Sequence, residues 1–360
     1  MPSRRGYGAL VGRERWSLEQ ARAWADAWGF RLGCNFTPST AGNQLELWQP
    51  ETFDPITIDR ELGWAAQTLG MNTVRVYLHD ILHAQDAEGF LARLDTFLSI
   101  ADSHGIAVVP VLFDGVWNTR PKAGPQPEPR PHLHNSVWVQ SPGARILHDP
   151  SLWDGLRPYV TDMLTRFGDD RRVLAWDVFN EPDQADSDTL REGSRARKSE
   201  SACGLLQRVF GWARDAGASQ PLTAGVWEYD SNHAPVDSEF NRIALAMSDI
   251  VSFHCYMPEN ALRAVVASLS VHGRPLLCTE WLARSEGSTA SLLPVFRELG
   301  VGAINWGLVD GRTQTRFPWK SWTEPVGDDE PWFHELLRPD GSPYEEEEAA
   351  LFRSVSPSRD

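Results

Sequence analysis

The sequence predicts a single (β/α)₈ barrel, a TIM barrel, on three observations. Eight apolar, β-branched-rich runs recur along the chain and are bounded by turn residues. Helical patterns lie between them, and several end at a glycine, which suits the left-handed conformation of a helix cap. Nothing between the runs looks like a domain linker, so residues 1–360 are predicted to form one barrel domain.

The eight predicted strands share this apolar pattern. They lie at residues 31–36, 73–78, 107–113, 173–179, 221–227, 249–256, 274–280 and 301–308. Strands that alternate with helices are typical of a parallel barrel. An open doubly wound sheet is the alternative, but no strand is followed by the glycine-rich turn that a nucleotide needs.

Three segments lie outside the repeat. Residues 16–29 are predicted to form an extra helix before the first strand. Residues 37–56 and 114–150 form long loops after strands one and three, and the second loop contains seven prolines. Long loops that follow barrel strands are usually functional, because the active site lies at that end. We expect these two loops to wall a cleft.

Composition excludes several classes of function. The chain has 34 Lys and Arg against 49 Asp and Glu, a net charge of −15, and such a surface repels nucleic acid and anionic membranes. No apolar run approaches the roughly 20 residues of a membrane span or forms a secretory signal near residue 1. The four cysteines are too few for a disulfide framework and lack metal-ligand spacing. A cytoplasmic protein with reduced thiols is predicted.

Two glutamates follow predicted strands on the face where barrel enzymes hold their catalytic groups. Glu181 lies just beyond strand four, and Glu280 ends strand seven. Either residue alone could be a helix cap or part of a surface ion pair. Two carboxyl groups that face each other across a barrel mouth, however, can cleave a glycosidic bond. Alternation along strand four places Asp177 and Asn180 on opposite faces.

An ordered set of residues on five strands strengthens this interpretation. The set comprises Arg75 in strand two, Asn180-Glu181-Pro182 after strand four, His254-Cys255-Tyr256 at strand six, Thr279-Glu280 ending strand seven and Trp306 in strand eight. It resembles clan A of the retaining glycoside hydrolases, and within that clan it is most similar to family 5, the cellulase and mannanase family.

The resemblance implies a role for each carboxyl group. Glu181 would be the general acid/base, since apolar walls and a second carboxylate raise the affinity of a carboxyl group for its proton. Glu280 would be the nucleophile, kept ionised and oriented by Arg75 and by the Tyr256 hydroxyl. No metal and no cofactor are expected in such a site.

The resemblance also implies the residues that hold the sugar. Asn180 would bind the 2-hydroxyl group, and Trp306 would be the platform under the sugar. His254 would lie near the acid/base and help set its proton, although a structural core histidine is the alternative. Asn35, near the end of strand one, is included among the predicted substrate-binding residues.

This chain departs from the family pattern at strand three. Family members commonly have a histidine near the end of that strand, where this chain has Phe113-Asp114-Gly115. Asp114 or His134 is a candidate replacement, and either could equally be structural. Most of the 16 tryptophans are expected to serve packing, but polar and indole side chains in the two long loops are candidate sugar contacts. These loop candidates are Asn43, Trp48, Trp117, Asn135, Trp138 and Gln140.

We therefore predict a retaining β-glycosidase that hydrolyses β-linked gluco- or manno-type oligosaccharides or glycosides. The lack of an export signal favours exo action on short soluble substrates; an endo-β-1,4-glycanase acting on cellulose, mannan or xylan is the alternative. A non-catalytic carbohydrate-binding barrel is a hypothesis of another class, but it would not need both carboxyl groups. A metal hydrolase is suggested only by His132-Leu133-His134, which lies in a proline-rich loop without an evident set of further ligands.

Overall fold

The chain folds into a barrel of eight parallel strands in this computed structural model, which describes residues 14–184 and 194–357. Each observed strand lies inside one of the predicted apolar runs, so the predicted fold class is confirmed. The strands are β1 Leu32–Asn35, β2 Thr73–Tyr77, β3 Ala107–Val111, β4 Trp176–Asp177, β5 Leu222–Thr223, β6 Val251–His254, β7 Leu276–Glu280 and β8 Gly302–Trp306.

The barrel is nearly closed. Its strands follow the order β5-β4-β3-β2-β1-β8-β7-β6, and the two end strands meet through a single bridge between Val226 and Phe253. Two backbone hydrogen bonds support that bridge, from Val226 N to Ser252 O at 3.0 Å and from His254 N to Val226 O at 2.9 Å. Closure brings the carboxyl ends of all eight strands to one face, where their side chains and loops can form a common site.

Helices surround the barrel. Among the described residues they are α1 Leu18–Trp28, α2 Gln44–Trp48, α3 Pro55–Thr68, α4 Asp80–Gln85, α5 Ala87–Ser103, α6 Ala144–Leu147, α7 Arg157–Phe167, α8 Ser194–Asp215, α9 Glu239–Met247, α10 Glu259–Ser270, α11 Leu293–Leu299 and α12 Glu346–Val355. None of these described helices has both the length and the apolar character required to cross a membrane.

Helix α1 covers the end of the barrel opposite the site. A Ser17/Gln20 capping box starts the helix. Trp24 and Trp28 on its inner face pack against a buried cluster that includes Ile250 and Leu277, and the Trp24 indole donates a hydrogen bond to Leu174 O at 3.2 Å. The helix therefore closes the amino-terminal opening of the barrel core.

Three long segments rise from the carboxyl face. The first two follow β1 and β3 and contain α2 and α6, as well as a 3₁₀ helix at Pro150–Leu156. The third segment, residues 307–345 after β8, contains a 3₁₀ helix at Trp319–Trp322. This third segment was not predicted from the sequence, and it forms part of the wall of the site.

Candidate active site

Two buried glutamates stand at the carboxyl face of the barrel. Glu280 is the last residue of β7, and Glu181 lies four residues beyond the end of β4. One oxygen from each carboxyl group and a ring nitrogen of His254 lie within 4.8 Å of one another. Both glutamates line a cavity of about 590 Å³, a size typical of small-molecule sites.

The backbone around Glu181 is held in an unusual conformation. Glu181 has φ +35°, in the left-handed region that non-glycine residues seldom adopt. Gly115 approaches so closely that a Cβ atom at that position would lie 2.2 Å from Glu181 O. The buried Lys198 ammonium of α8 donates to Gly115 O and to Gln184 O, each at 2.7 Å. These contacts hold the backbone from which the Glu181 side chain projects.

Glu280 is surrounded by hydrogen-bond donors. Arg75 Nη1 and the Tyr77 hydroxyl donate to Oε1 at 2.9 and 2.8 Å, and the Tyr256 hydroxyl donates to Oε2 at 2.9 Å. Burial by itself would raise the pKa of Glu280, but the nearby His254 and Arg75 and the two hydroxyl groups outweigh it and lower the pKa. The environment therefore favours the ionised carboxylate.

Glu181 experiences the opposite balance. Burial raises its pKa and the Glu280 carboxylate adds to that rise, although the hydrogen bond from His254 Nδ1 to Oε1 at 2.6 Å opposes it. For His254, burial favours the neutral ring, but Glu280 and Glu181 dominate and raise the pKa of the imidazole. The Glu181–His254 pair is consequently the place where a proton is retained.

Arg75 is the centre of a buried polar network beneath the cavity. Its guanidinium donates to Asp177 and to Asn180 Oδ1 at 2.8 and 2.7 Å, and to Asn35 Oδ1 at 2.8 Å. Asn35 in turn donates to Thr279 O at 2.8 Å. Asp177 and Asn180 thus share Arg75, and the expectation that they face opposite sides was wrong because regular pairing of β4 ends at Asp177.

The side-chain amide of Asn180 is fixed from both ends. Its oxygen accepts from Arg75, and its nitrogen donates to Asp114 Oδ1 at 3.0 Å. The other Asp114 oxygen accepts from Trp138 Nε1 at 2.6 Å and from Gln44 Nε2 at 3.0 Å. Burial raises the pKa of Asp114 to about 7, while the hydrogen bonds from Asn180 and Trp138 oppose the shift. Asp114 therefore holds Asn180 in one orientation.

The cavity brings most of the predicted site residues together. Besides the two glutamates, those that line it are Asp114, Trp117, Asn135, Trp138, Asn180, His254, Tyr256 and Trp306. Arg75 and Asn35 lie beneath it, as described above. The Trp306 ring meets the Trp138 and Tyr77 rings at centroid distances of 5.9 and 5.7 Å. Trp117 stacks on Trp322 at 5.1 Å with an interplanar angle of 10°.

Other candidates from the long loops serve packing instead. Trp48 is fully buried, packs on Phe97, and donates its indole hydrogen to Tyr77 O at 2.6 Å. Gln140 donates to Pro142 O within its own loop at 2.8 Å. The expectation that these two side chains contact sugar was wrong, because neither is among the residues that line the cavity, and the Trp48 indole and the Gln140 amide nitrogen bind the protein's own backbone.

Two further side chains of these loops also lie away from the cavity. Asn43 caps α2 and donates to Val137 O at 2.9 Å. His132 lies on the surface beside Asp328, whereas the nearby His134 is buried. The His132 and His134 rings therefore have separate surroundings and do not form a pair of metal ligands.

Sequence reasoning missed several residues around the site. Tyr77 was given no role in the site, although alternation places it on the same face of β2 as Arg75. Trp319 and His334 come from the segment after β8, where no periodic pattern marks them. Residues from the turn after β5 also line the cavity, namely Trp227, Tyr229, Asp230 and His233.

The family model for Cellulase, glycosyl hydrolase family 5, matches residues 33–311. No curated protein matches the chain. A GH5_18 enzyme from Streptomyces cattleya, crystallised as a glutamate-to-alanine variant with Manb1-4GlcNAc, is similar in fold at 17% identity and a TM-score of 0.61; the alignment covers 91% of this chain and 80% of that one. The endo-beta-1,4-mannanase from Thermotoga petrophila is similar in fold at 13% identity and a TM-score of 0.57; the alignment covers 91% of this chain and 76% of that one.

A further similar structure is described as beta-glucosidase 1317, with 15% identity, a TM-score of 0.57, and coverage of 91% of this chain and 98% of that one. At these identities the structural likeness supports the fold, while the family match extends over well over half of the chain. The resemblance inferred from the sequence motifs is confirmed: the chain belongs to glycoside hydrolase family 5 and is a glycoside hydrolase.

Proposed function

We propose that this protein is a retaining β-glycosidase that hydrolyses β-linked gluco- or manno-type oligosaccharides by double displacement. The observation that carries the proposal is the short separation of the Glu181 and Glu280 carboxyl oxygens, which lie within 4.8 Å of each other. Retaining enzymes hold their two carboxyl groups about 5–5.5 Å apart, whereas inverting enzymes separate them by about 6.5–9.5 Å to admit a water molecule.

In the first step Glu280 attacks the anomeric carbon while Glu181 transfers its proton to the departing glycosidic oxygen. The C–O bond to the leaving group breaks as the bond to Glu280 forms. The lowered pKa of Glu280 and the raised pKa of Glu181 suit these opposite roles at neutral pH. Arg75 and the two tyrosine hydroxyl groups keep the attacking carboxylate oriented.

In the second step water replaces the aglycone. Glu181, now ionised, takes a proton from that water, and the water oxygen attacks the anomeric carbon to release Glu280. His254 stabilises the transient Glu181 carboxylate through the 2.6 Å contact. Asn180 presents its fixed amide to the sugar 2-hydroxyl group, and Trp306 lies under the ring.

Exo action is supported by the wall beyond the nucleophile. Trp138 and Trp306 line both the main cavity and a second space of only about 20 Å³, so they separate the two. A space of that size admits about one water molecule rather than another sugar. The terminal sugar would therefore end at this wall, and the leaving group would lie on the Glu181 side.

The loops after β3 and β8 seal the same end. Asn135 N donates to Thr313 O at 2.9 Å, and His134 N donates to Ser321 Oγ at 3.0 Å. In the opposite direction, the Trp322 indole donates to His134 O at 2.9 Å. These hydrogen bonds join the two loops into one continuous wall, which favours removal of a terminal sugar over cleavage within a chain.

The proposed substrate class and location are supported by the similar folds and by the cysteines. The similar folds include an enzyme crystallised with Manb1-4GlcNAc, a beta-glucosidase and an endo-mannanase, which favours gluco- or manno-configured substrates. All four cysteines are free and buried, which suits the cytoplasmic location that we propose for an enzyme of short soluble glycosides.

The proposal is tested with aryl β-glycosides and short β-linked oligosaccharides. Proton NMR of the first product formed should show the β anomer, because two inversions restore the configuration; an α product would contradict double displacement. A time course on a long oligosaccharide should show steady monosaccharide release. Early release of mixed oligomers would instead identify an endo-glycanase.

A further inference from the structure

Two histidines that the proposed mechanism does not use stand at the closed end of the cavity. His134 comes from the loop after β3 and His334 from the segment after β8. Both rings line the cavity, both residues are buried, and the ring centroids lie 5.4 Å apart. The two loops that seal the site therefore each contribute one imidazole.

Backbone contacts fix the tautomer of both rings. His134 Nδ1 donates to Phe317 O at 2.7 Å, and His334 Nδ1 donates to Leu282 O. A carbonyl oxygen can only accept, so each Nδ1 carries a hydrogen, and Nε2 of a neutral ring carries a lone pair. Among the described residues the only hydrogen bond of either ring is the one at Nδ1, and none is made at Nε2. Each ring thus has one unfilled acceptor.

The surroundings keep both rings neutral. Burial lowers the pKa of His134 to about 4. Burial, and then the proximity of His134, lower the pKa of His334 well below its ordinary value. A neutral imidazole whose Nδ1 is already bound to the backbone can accept a hydrogen bond from a ligand but cannot donate one.

The position of the pair matches the far edge of a bound sugar. The His334 ring lies 5.6 Å from Tyr256, whose hydroxyl binds the nucleophile, and 6.5 Å from the Trp306 platform. Asn135, the residue after His134, also lines the cavity and has a buried Oδ1 without a partner among the described residues. Three acceptors without a donor from the described residues therefore lie at this end, and one of them, Asn135 Oδ1, is fully buried.

On the basis of the proposed function, we propose that His134 and His334 accept hydrogen bonds from hydroxyl groups at the non-reducing end of the terminal sugar. The enzyme would then select neutral, uncapped β-hexosides. Phosphate and carboxylate groups would be rejected, because they offer oxygen acceptors where the site also offers acceptors. The described lining of the cavity contains neither lysine nor arginine to bind such an anion.

The test pairs a side-chain change with a substrate change. kcat/KM is measured for an aryl β-hexoside and its 3-, 4- and 6-deoxy analogues. With the unmodified enzyme, kcat/KM for at least one deoxy analogue should be about tenfold lower than for the parent hexoside, because the missing hydroxyl group leaves an acceptor of the site unpaired. His334→Phe or His134→Phe should lower kcat/KM for the parent substrate, so that most of the difference in kcat/KM between the parent and the deoxy analogue disappears. A Gln variant at the same position keeps an acceptor and should restore part of the difference in kcat/KM between the parent and the deoxy analogue.

A matched control comes from the same loop. His132→Asn changes a surface histidine beside Asp328. It should preserve the activity on the parent substrate and the lower kcat/KM of the deoxy analogue. If the buried pair has a merely structural role, substitution of His134 or His334 would lower kcat/KM by the same factor for the parent and the deoxy substrates. Such independent effects of the two changes would overturn the proposal.

Binding separates this inference from the proposed function. In a Glu280→Gln background, calorimetry with methyl β-hexosides, their deoxy analogues and a 6-phosphate measures recognition without turnover. The parent should bind at least tenfold more tightly than the critical deoxy analogue, and the 6-phosphate should not bind. Equal affinity for parent and 6-phosphate, or no binding of any hexoside, would overturn the proposal. Absence of hydrolysis by the unmodified enzyme would refute the glycosidase function instead.

Discussion

The two catalytic candidates have the same side chain but opposite pKa shifts, and the difference lies in their partners. Both are buried, which raises the pKa of any carboxyl group. The Glu280 charge is stabilised by His254, by Arg75 and by two hydroxyl groups, whereas among the described residues the Glu181 carboxyl group accepts a hydrogen bond from His254 alone. One environment therefore favours a carboxylate and the other a carboxylic acid, as the proposed double displacement requires.

Substitution of Glu280 tests its proposed role as the nucleophile. Glu280→Ala should reduce kcat by several orders of magnitude, because no glycosyl-enzyme bond can form. Azide should restore part of the turnover of an activated aryl glycoside by attacking in place of the carboxylate, and the product should be an α-glycosyl azide. Glu181→Gln should also be nearly inactive on substrates that need protonation. Normal turnover by the Glu280 variant, with the fold checked by circular dichroism, would refute the assignment.

His254 should shift both limbs of the pH profile. Activity falls at low pH when Glu280 becomes protonated, and it falls at high pH when the Glu181 proton is lost. His254 lowers the pKa of both glutamates. His254→Asn removes the charge, so both limbs of kcat/KM against pH should move to higher pH. His104→Asn, which alters a surface pair with Asp59, should leave the profile unchanged; a His254 variant with unshifted limbs would contradict the coupling.

At the level of elements, the approach of the β3 loop to the β4 loop positions Glu181, the proposed acid. Gly115→Ala would put a Cβ atom 2.2 Å from Glu181 O, so the backbone that carries the acid must move. A displacement of about 1 Å can cost roughly 100-fold in rate, and we expect kcat to fall by about that factor. Gly155→Ala in the 3₁₀ helix of the same loop meets no atom within 4 Å and should retain activity.

Kinetics and thermal melting of the two glycine variants check this prediction together. A Gly115 variant that melts within a few degrees of the parent but turns over slowly would support a displaced acid. A fully active Gly115 variant would show that the close approach has no role in catalysis.

Elements differ in how far the sequence predicted them. The strands and both glutamates were predictable, because apolar runs and the residues that end them are local patterns. The segment after β8 was missed because Trp319 and His334 do not belong to a periodic pattern of apolar residues. Only tertiary contacts with the β3 loop bring them over the cavity. Trp48 was misplaced for a related reason: loop composition does not reveal whether an indole faces the cavity or the core.

At the scale of the whole molecule, the barrel separates stability from catalysis. Polar and titratable groups concentrate at the carboxyl end of the strands, while an apolar cluster fills the amino-terminal half. Barrel enzymes commonly divide the two tasks this way. Substitutions at the amino-terminal end should therefore change the free energy of unfolding with little effect on rate.

Trp24 on α1 tests that separation. It packs on the apolar cluster and donates to Leu174 O, so Trp24→Ala should lower the free energy of unfolding by about 2–4 kcal/mol. Asp26→Ala, an exposed change on the same helix, should alter it by less than about 0.5 kcal/mol. Urea denaturation measures both, and kcat/KM should stay within about twofold of the parent because the active site lies at the other end. A large loss of kcat in the Trp24 variant without loss of stability would show that the two ends of the barrel are coupled.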